Sequence, residues 1–147
     1  MGSVVEINVG SEKRGELSQV NEVTAIEGKG IEGDRYHLLS DTFDKVRDVS
    51  LIEMEAIEAL GRDYDIPFSP KESRRNIATR GVPLNHLVGK EFRIGDAVLK
   101  GIELCEPCKP LEQLTGKKVY EPLRHRGGLR ASVLKTGAIK VGDAISW

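Results

Sequence analysis

Aromatic residues make up only 5% of this 147-residue chain, too few for the stacking platforms that hold single-stranded nucleic acids. Neither sign of charge dominates. With 22 basic against 23 acidic side chains the formal net charge is -1, which excludes bulk attraction to nucleic acid or to an anionic membrane surface. Any anion the protein binds must be held by a local arrangement of donors. No stretch approaches the roughly 18 consecutive apolar residues of a membrane span. The first thirty residues carry Glu6, Glu12, Lys13, Arg14, Glu16 and Glu22, a pattern unlike a secretory leader. Two cysteines are too few for a disulfide framework, so a reducing, cytoplasmic location is expected and Cys105 and Cys108 are read as thiols. The G-x-x-x-x-G-K-[ST] phosphate loop of nucleotide-binding proteins is missing.

What the chain does have is glycine, 16 residues of it, together with six prolines, which favours many turns between short elements. Val5, Ile7 and Val9 alternate with Glu6 and Asn8, the period-two signature of a half-buried strand. A polar loop is expected from Gly10 to Gln19, and Val23, Ala25 and Ile31 mark a weaker strand region interrupted by Gly28, Gly30 and Gly33. Ser50 and Glu53 match a capping box, and the apolar spacing after them predicts a helix over 50–60 ended by Gly61. Phe92 and Ile94, the Gly95-Asp96 turn, then Val98, Ile102 and Leu104 read as a hairpin. The run Ile139 to Ile145 repeats that pattern, so a second strand-turn-strand unit is expected near the end. Shorter helical turns are expected near 84–88, 109–115 and 117–124. The whole chain, 1–147, reads as a single, mainly β domain, barrel-like, with several short helices.

Four segments could carry chemistry. Cys105-Glu106-Pro107-Cys108 is a C-x-x-C at the exit of a strand, and several chemistries compete for it. A zinc site would have to recruit two of His37, His86 and His125. A redox dithiol would call for a βαβ setting that the surrounding hairpins do not provide. Two small buried thiols would be inert. A further reading is a single reactive thiolate, acting as a sulfur carrier or a soft metal ligand, and for it Cys108 is the better candidate, since Lys109 and a following helical turn favour the ionised form. Gly33-Asp34-Arg35-Tyr36-His37, read as a strand, would set Arg35 and His37 on one face as donors to an anion. Arg74, Arg75 and Asn76 could grip a phosphate through two guanidiniums and an amide. Arg126, Gly127, Gly128 and Arg130 could turn main-chain amides and guanidiniums towards one oxyanion. Each of these also reads as an ordinary solvated loop. If they converge, they form an anion pocket beside a thiol.

Taken together and in order, these residues resemble the MOSC family, named for the carboxy-terminal domain of molybdenum cofactor sulfurases. The resemblance rests on Gly33-Asp34 with His37, Ser50-Leu51-Ile52 with Glu55, Arg74-Arg75-Asn76-Ile77, and Gly81, Leu84 and Leu87-Val88-Gly89. Phe92-Arg93-Ile94-Gly95, Cys105-Glu106-Pro107-Cys108, Arg126-Gly127-Gly128-Leu129-Arg130-Ala131 and Ile139-Lys140-Val141-Gly142-Asp143 complete it. It implies a barrel of the pyruvate-kinase-insert type and makes Cys108 the functional thiol, as persulfide carrier or molybdenum ligand. It gives the arginines a definite partner, the terminal phosphate of the pterin in the molybdenum cofactor (molybdopterin). The pyridoxal-phosphate desulfurase domain of the full sulfurases does not fit in 147 residues, so a cysteine desulfurase or other sulfur donor is the expected partner, with a molybdenum enzyme or redox partner downstream. Other expectations under the same resemblance are a cofactor carrier without chemistry and a molybdenum-dependent reductase of N-hydroxylated compounds. No nucleic-acid or membrane partner is expected.

Overall fold

The computed structural model describes residues 2–38 and 48–147. Seven strands close into a barrel: β1 (Gly2–Val9), β5 (Val49–Glu53), β6 (Ile77–Arg80), β7 (Glu91–Ile94), β8 (Ala97–Leu104), β9 (Leu129–Lys135) and β11 (Ala144–Ser146). They run in the order β11-β7-β8-β9-β5-β6-β1, and pairing of β1 with β11 completes the ring. Closure leaves no long free edge in the main sheet. The short strand β2 (Ser18–Val20) pairs with β1 at Ile7 to Val9. A second, three-stranded sheet is built from β10 (Gly137–Lys140), β3 (Glu22–Ile26) and β4 (Gly30–Ile31).

One core fills the barrel, with Val4, Ile7, Leu51, Ile77, Phe92, Leu99, Leu129 and Ile145 among its fully buried side chains. Two smaller apolar clusters lie outside it. Ile52, Ile57 and Ala78 join helix α2 (Met54–Tyr64) to the outer face of β5 and β6, and Leu60, Leu111, Val119 and Leu123 join α2 to α4 (Lys109–Thr115) and the segment before β9. No helix among the described residues is long and apolar enough to cross a membrane.

Several local expectations are corrected. The segment from Ser50 begins as a strand, not a helix: Val49 to Ile52 are all buried between β6 and β9, and the helix starts only at Met54. Ser50 therefore caps nothing; its hydroxyl and amide bind Asn76 instead, and the capping box is formed by Ser69 and Glu72 at the start of α3 (Pro70–Ser73). Gly61 lies inside α2, and Asp65 ends it with φ of 56°. The Gly33–His37 segment is not a strand. Asp34 accepts from the Tyr36 amide with its carboxylate and from the Leu38 amide with its carbonyl, starting the single turn α1 (Arg35–Leu38). The terminal repeat is not a hairpin, because β10 pairs with β3 while β11 pairs with β7 and β1, in different sheets. Residues 117–124 form hydrogen-bonded turns without a helix. In β1 a bulge between Val4 and Glu6 shifts the alternation, so that Gly2, Val4, Ile7 and Asn8 are the buried residues.

The hairpin β7–β8, the 3-10 helix Leu84–Leu87 and α4 lie where the sequence puts them. A G-x-G-x-x-G of the dinucleotide binders is not expected in this chain, yet Gly28, Gly30 and Gly33 have that spacing; it lacks the strand-to-helix setting that gives the motif its meaning. Gly28 lies in the antiparallel β3–β4 turn, Gly30 in β4 and Gly33 just after it, and Gly30 is required because a Cβ would meet the Asp48 carbonyl at 2.2 Å.

Candidate functional site

Strand register fixes the side from which each loop leaves the barrel. Ile7 pairs with Ile77, Ile77 with Leu51, Leu51 with Leu129, and Leu129 with Leu104. These five residues stand level across neighbouring strands. The β1–β2 loop after Ile7 and Arg74 to Asn76 before Ile77 therefore leave at one rim, whereas Arg126 to Gly128 before Leu129 and Cys105 to Cys108 after Leu104 leave on the other side of that level; the Arg75 side chain, donating to the Gly127 and Cys105 carbonyls, links the two sets. Arg35 ties α1 into the same rim, donating from its amide to the Gly10 carbonyl at 2.7 Å and from Nη2 to the Arg74 carbonyl at 3.0 Å.

A cleft of about 390 Å³ opens there, lined by Lys13, Arg14, Arg35, Tyr36, Arg74, Arg75, Glu106, Cys108 and Arg130, with Pro110, Leu111 and Leu114 of α4 as an apolar wall. That volume lies within the usual range of small-molecule sites, roughly 300–1,000 Å³. Six cationic side chains face a single acid, in a chain of net charge -1. Even that acid is turned away: Glu106 accepts from the His125 amide at 2.7 Å and pairs with His125 Nδ1 at 2.8 Å.

The arginines differ in what they have left to give. Arg35 is buried and paired with Asp34 at 3.1 Å, and its guanidinium lies over the Tyr36 ring at 4.6 Å. Arg75 is spent on main-chain carbonyls, donating from Nε to Gly127 at 2.8 Å and from Nη2 to Cys105 at 3.1 Å and Glu106 at 3.3 Å. Arg74 donates from Nη1 to the Gly15 carbonyl at 2.7 Å, but its buried Nη2 has no hydrogen-bond partner among the described residues. Arg130 lies 5.6 Å over the Tyr36 ring, and its buried Nη1 is likewise without a hydrogen-bond partner. A buried donor left unmade costs about 1–3 kcal/mol. Burial and the neighbouring Arg35 hold the Arg74 pKa below its ordinary value, against Tyr36 and Asp34. For Arg130, burial also acts against the cation, but Cys105, Tyr36 and Glu103 outweigh it and its pKa lies above the ordinary value. Chemically this is a cluster of partly desolvated cations with two guanidinium nitrogens, Arg74 Nη2 and Arg130 Nη1, left without a hydrogen-bond partner among the described residues, an arrangement suited to accepting an oxyanion.

Cys108 is exposed, lines this cleft and stands at the start of α4, whereas Cys105 is buried at 2% exposure. Among the described residues no group of three or more His, Cys, Asp and Glu could hold a metal.

Of the residues singled out from sequence, the fold thus gathers Arg35, Arg74, Arg75, Arg130 and Cys108 around one cleft. The others lie elsewhere. Asp34 is fully buried beneath it, accepting from the Gly10 amide, the Tyr36 amide and Arg35. His37 Nδ1 accepts from the Gly33 amide and does not line the cleft. Asn76 is fully buried between β1 and β5. Arg126 is exposed outside the cleft, in the electrostatic neighbourhood of Glu53 and Asp63. Gly127 and Gly128 are buried where the backbone crosses other chain: a Cβ on Gly128 would meet the Leu51 carbonyl at 1.9 Å and one on Gly127 the Cys105 carbonyl at 2.4 Å. Lys13, Arg14 and Tyr36 were passed over. The adjacent basic pair in the β1–β2 loop was the available signal for the first two.

The MOSC domain profile matches residues 36–146 of the chain. Among solved structures, the YuaD protein from Bacillus subtilis superposes with a TM-score of 0.83 at 18% identity, covering 100% of this chain and 97% of that one. YiiM from Geobacillus stearothermophilus gives 0.75 at 17% identity, over 99% and 74% of the two chains. YiiM from Escherichia coli gives 0.72 at 19% identity, over 99% and 69%. No curated protein matches the sequence.

Proposed function

The chain belongs to the MOSC family, a molybdenum-cofactor-related domain family, and from that premise we propose that its rim cleft holds the molybdenum cofactor through the pterin phosphate, with Cys108 as the sulfur carrier or metal ligand. The observation that carries this reading is the pair of unpartnered buried donors, Arg74 Nη2 and Arg130 Nη1, in the same cleft as an exposed thiol. The residues suit the group. A phosphate would accept from the two unpartnered guanidinium nitrogens, and Lys13 and Arg14 add charge to the cleft lining. Tyr36 and the Pro110, Leu111 and Leu114 wall offer apolar surface to a flat heterocycle. When bound, the cofactor would supply a redox-active metal with soft sulfur coordination.

Each residue then has a defined task. Arg74 and Arg130 bind the anion, Asp34 and Arg35 hold the Arg74 main chain in place, and Cys108 presents its sulfur to whatever the cleft contains. A persulfide on Cys108 would come from a separate cysteine desulfurase or other sulfur donor and pass to a molybdenum enzyme or redox partner. The reaction stays within sulfur transfer, non-catalytic carriage or reduction of N-hydroxylated compounds.

The test is elemental and pterin analysis of protein purified from a host that makes the cofactor, beside Cys108→Ser and the double variant Arg74→Gln, Arg130→Gln. Near-stoichiometric molybdenum and pterin, lost in the double variant, is the expected result. Protein that carries neither, and acquires no cyanide-labile sulfur from a desulfurase, would refute the assignment.

A further inference from the structure

Arg75 lines the cleft as a cation, yet its hydrogen bonds go elsewhere. Its side chain is 8% exposed. A guanidinium has five N–H donors in a rigid fork, and here Nε binds the Gly127 carbonyl, Nη2 the carbonyls of Cys105 and Glu106, and Nη1 the Ser73 carbonyl at 3.4 Å. Three of these four acceptors lie in two loops: the C-x-x-C loop leading to Cys108, and the Gly-Gly approach to β9. The C-x-x-C loop is braced against the Gly127 loop from two sides. Pro107 has no N–H to donate, and the Glu106 side chain ties the C-x-x-C loop to His125 only at the exposed surface, at the head of the Gly127 loop, whereas Arg75 reaches both loops from the buried side. The Cys105 amide bonds the Gly128 carbonyl, so the two loops are already neighbours, and the Arg75 fork fixes their spacing.

From this geometry we infer that Arg75 is a positioning residue: it clamps the C-x-x-C loop to the Gly127 loop and so fixes where the Cys108 thiol stands relative to Arg74 and Arg130. It is not itself a ligand of the anion. The inference builds on the proposal that these groups serve one ligand, but the clamp has its own readout. Only Arg75 can do this among the cleft arginines, because only its fork reaches both loops. Lysine would keep the charge, but its compact ammonium lacks the planar fork that serves both loops.

The experiment compares the full chain with Arg75→Ala and Arg75→Lys. Site-resolved alkylation of Cys105 and Cys108 by iodoacetamide is followed by mass spectrometry, together with amide hydrogen exchange and inorganic pyrophosphate binding. In both variants Cys105, shielded in the parent, should label at least tenfold faster. Exchange should rise in 104–109 and 126–128 while the β7–β8 hairpin over 91–100 stays protected, and pyrophosphate affinity should fall at least fivefold. If Arg75→Lys keeps Cys105 shielded and binds pyrophosphate like the parent, Arg75 acts through its charge and the clamp is wrong. If exchange rises throughout the barrel in both variants, Arg75 is a general support of the fold and the clamp is equally wrong. If the parent binds no pyrophosphate but loop loosening is confined as described, the clamp holds and the ligand assignment fails.

Discussion

Asn76→Ala separates a scaffold from a ligand at a position the sequence offered as a phosphate contact. The side chain is fully buried; its Oδ1 accepts from the Ser50 amide at 3.1 Å and hydroxyl at 3.2 Å, and its Nδ2 donates to the Asn8 carbonyl at 3.2 Å. The Asn76 amide and carbonyl add bonds to the Ser50 hydroxyl and the Asn8 amide, which survive the substitution. Truncation thus strands two buried main-chain groups, the Ser50 N–H and the Asn8 C=O. At about 1–3 kcal/mol for each orphaned group, the expected loss is about 2–6 kcal/mol. For a domain near 150 residues, about 2–4 °C per kcal/mol turns a loss of about 4 kcal/mol into a fall in Tm of about 12 °C. Urea unfolding and a thermal scan measure it, with pyrophosphate titration of the folded fraction beside them. A variant that unfolds within about 1 kcal/mol of the parent, yet no longer binds pyrophosphate, would refute the scaffold role.

Asp48 gives a pH dependence. Burial pushes its carboxyl above the usual range, against the hydrogen bond from the Val133 amide. The native state therefore holds this proton to higher pH than the unfolded chain, and the stability it contributes is full below the unfolded value near 3.9 and lost as pH rises through the folded one. Asp48→Asn, which can still accept from Val133, should be more stable than the parent at pH 7 and lose that advantage near pH 3.5 in urea melts. A constant difference across pH would contradict it. Alkylation of the native parent should modify exposed Cys108 well before buried Cys105; equal rates would undo the choice of thiol.

The barrel and the hairpin over 91–104 were legible because period-two alternation and a Gly-Asp turn are local signals. So was α4, where Pro110 and the apolar spacing agree. The strand at Val49–Glu53 was not, since a strand buried on both faces has no alternation, and Ser50 with Glu53 imitated a capping box. The terminal repeat misled because two segments of like pattern can send their strands into different sheets. At the cleft, residue type pointed to loops that the fold brings together, but not to which atoms remain without a partner. Arg74 and Arg75 are adjacent and chemically alike, and only the fold shows one keeping an unpartnered Nη2 while the other is committed to carbonyls. Arg126, two residues before Gly128, was indistinguishable from Arg130 in sequence; the start of β9 sends them to different surroundings.

Pyrophosphate titration by calorimetry at low salt, on the parent and on Arg74→Gln, Arg130→Gln and Arg126→Gln, tests the anion cleft most directly. Each lost charge-assisted contact is worth about 1.5–3 kcal/mol, so affinity should fall by about 10- to 150-fold for Arg74→Gln and Arg130→Gln, and by less than twofold for Arg126→Gln. Equal, small losses in all three would mean that the cleft attracts anions only through diffuse charge, and would contradict a built phosphate site.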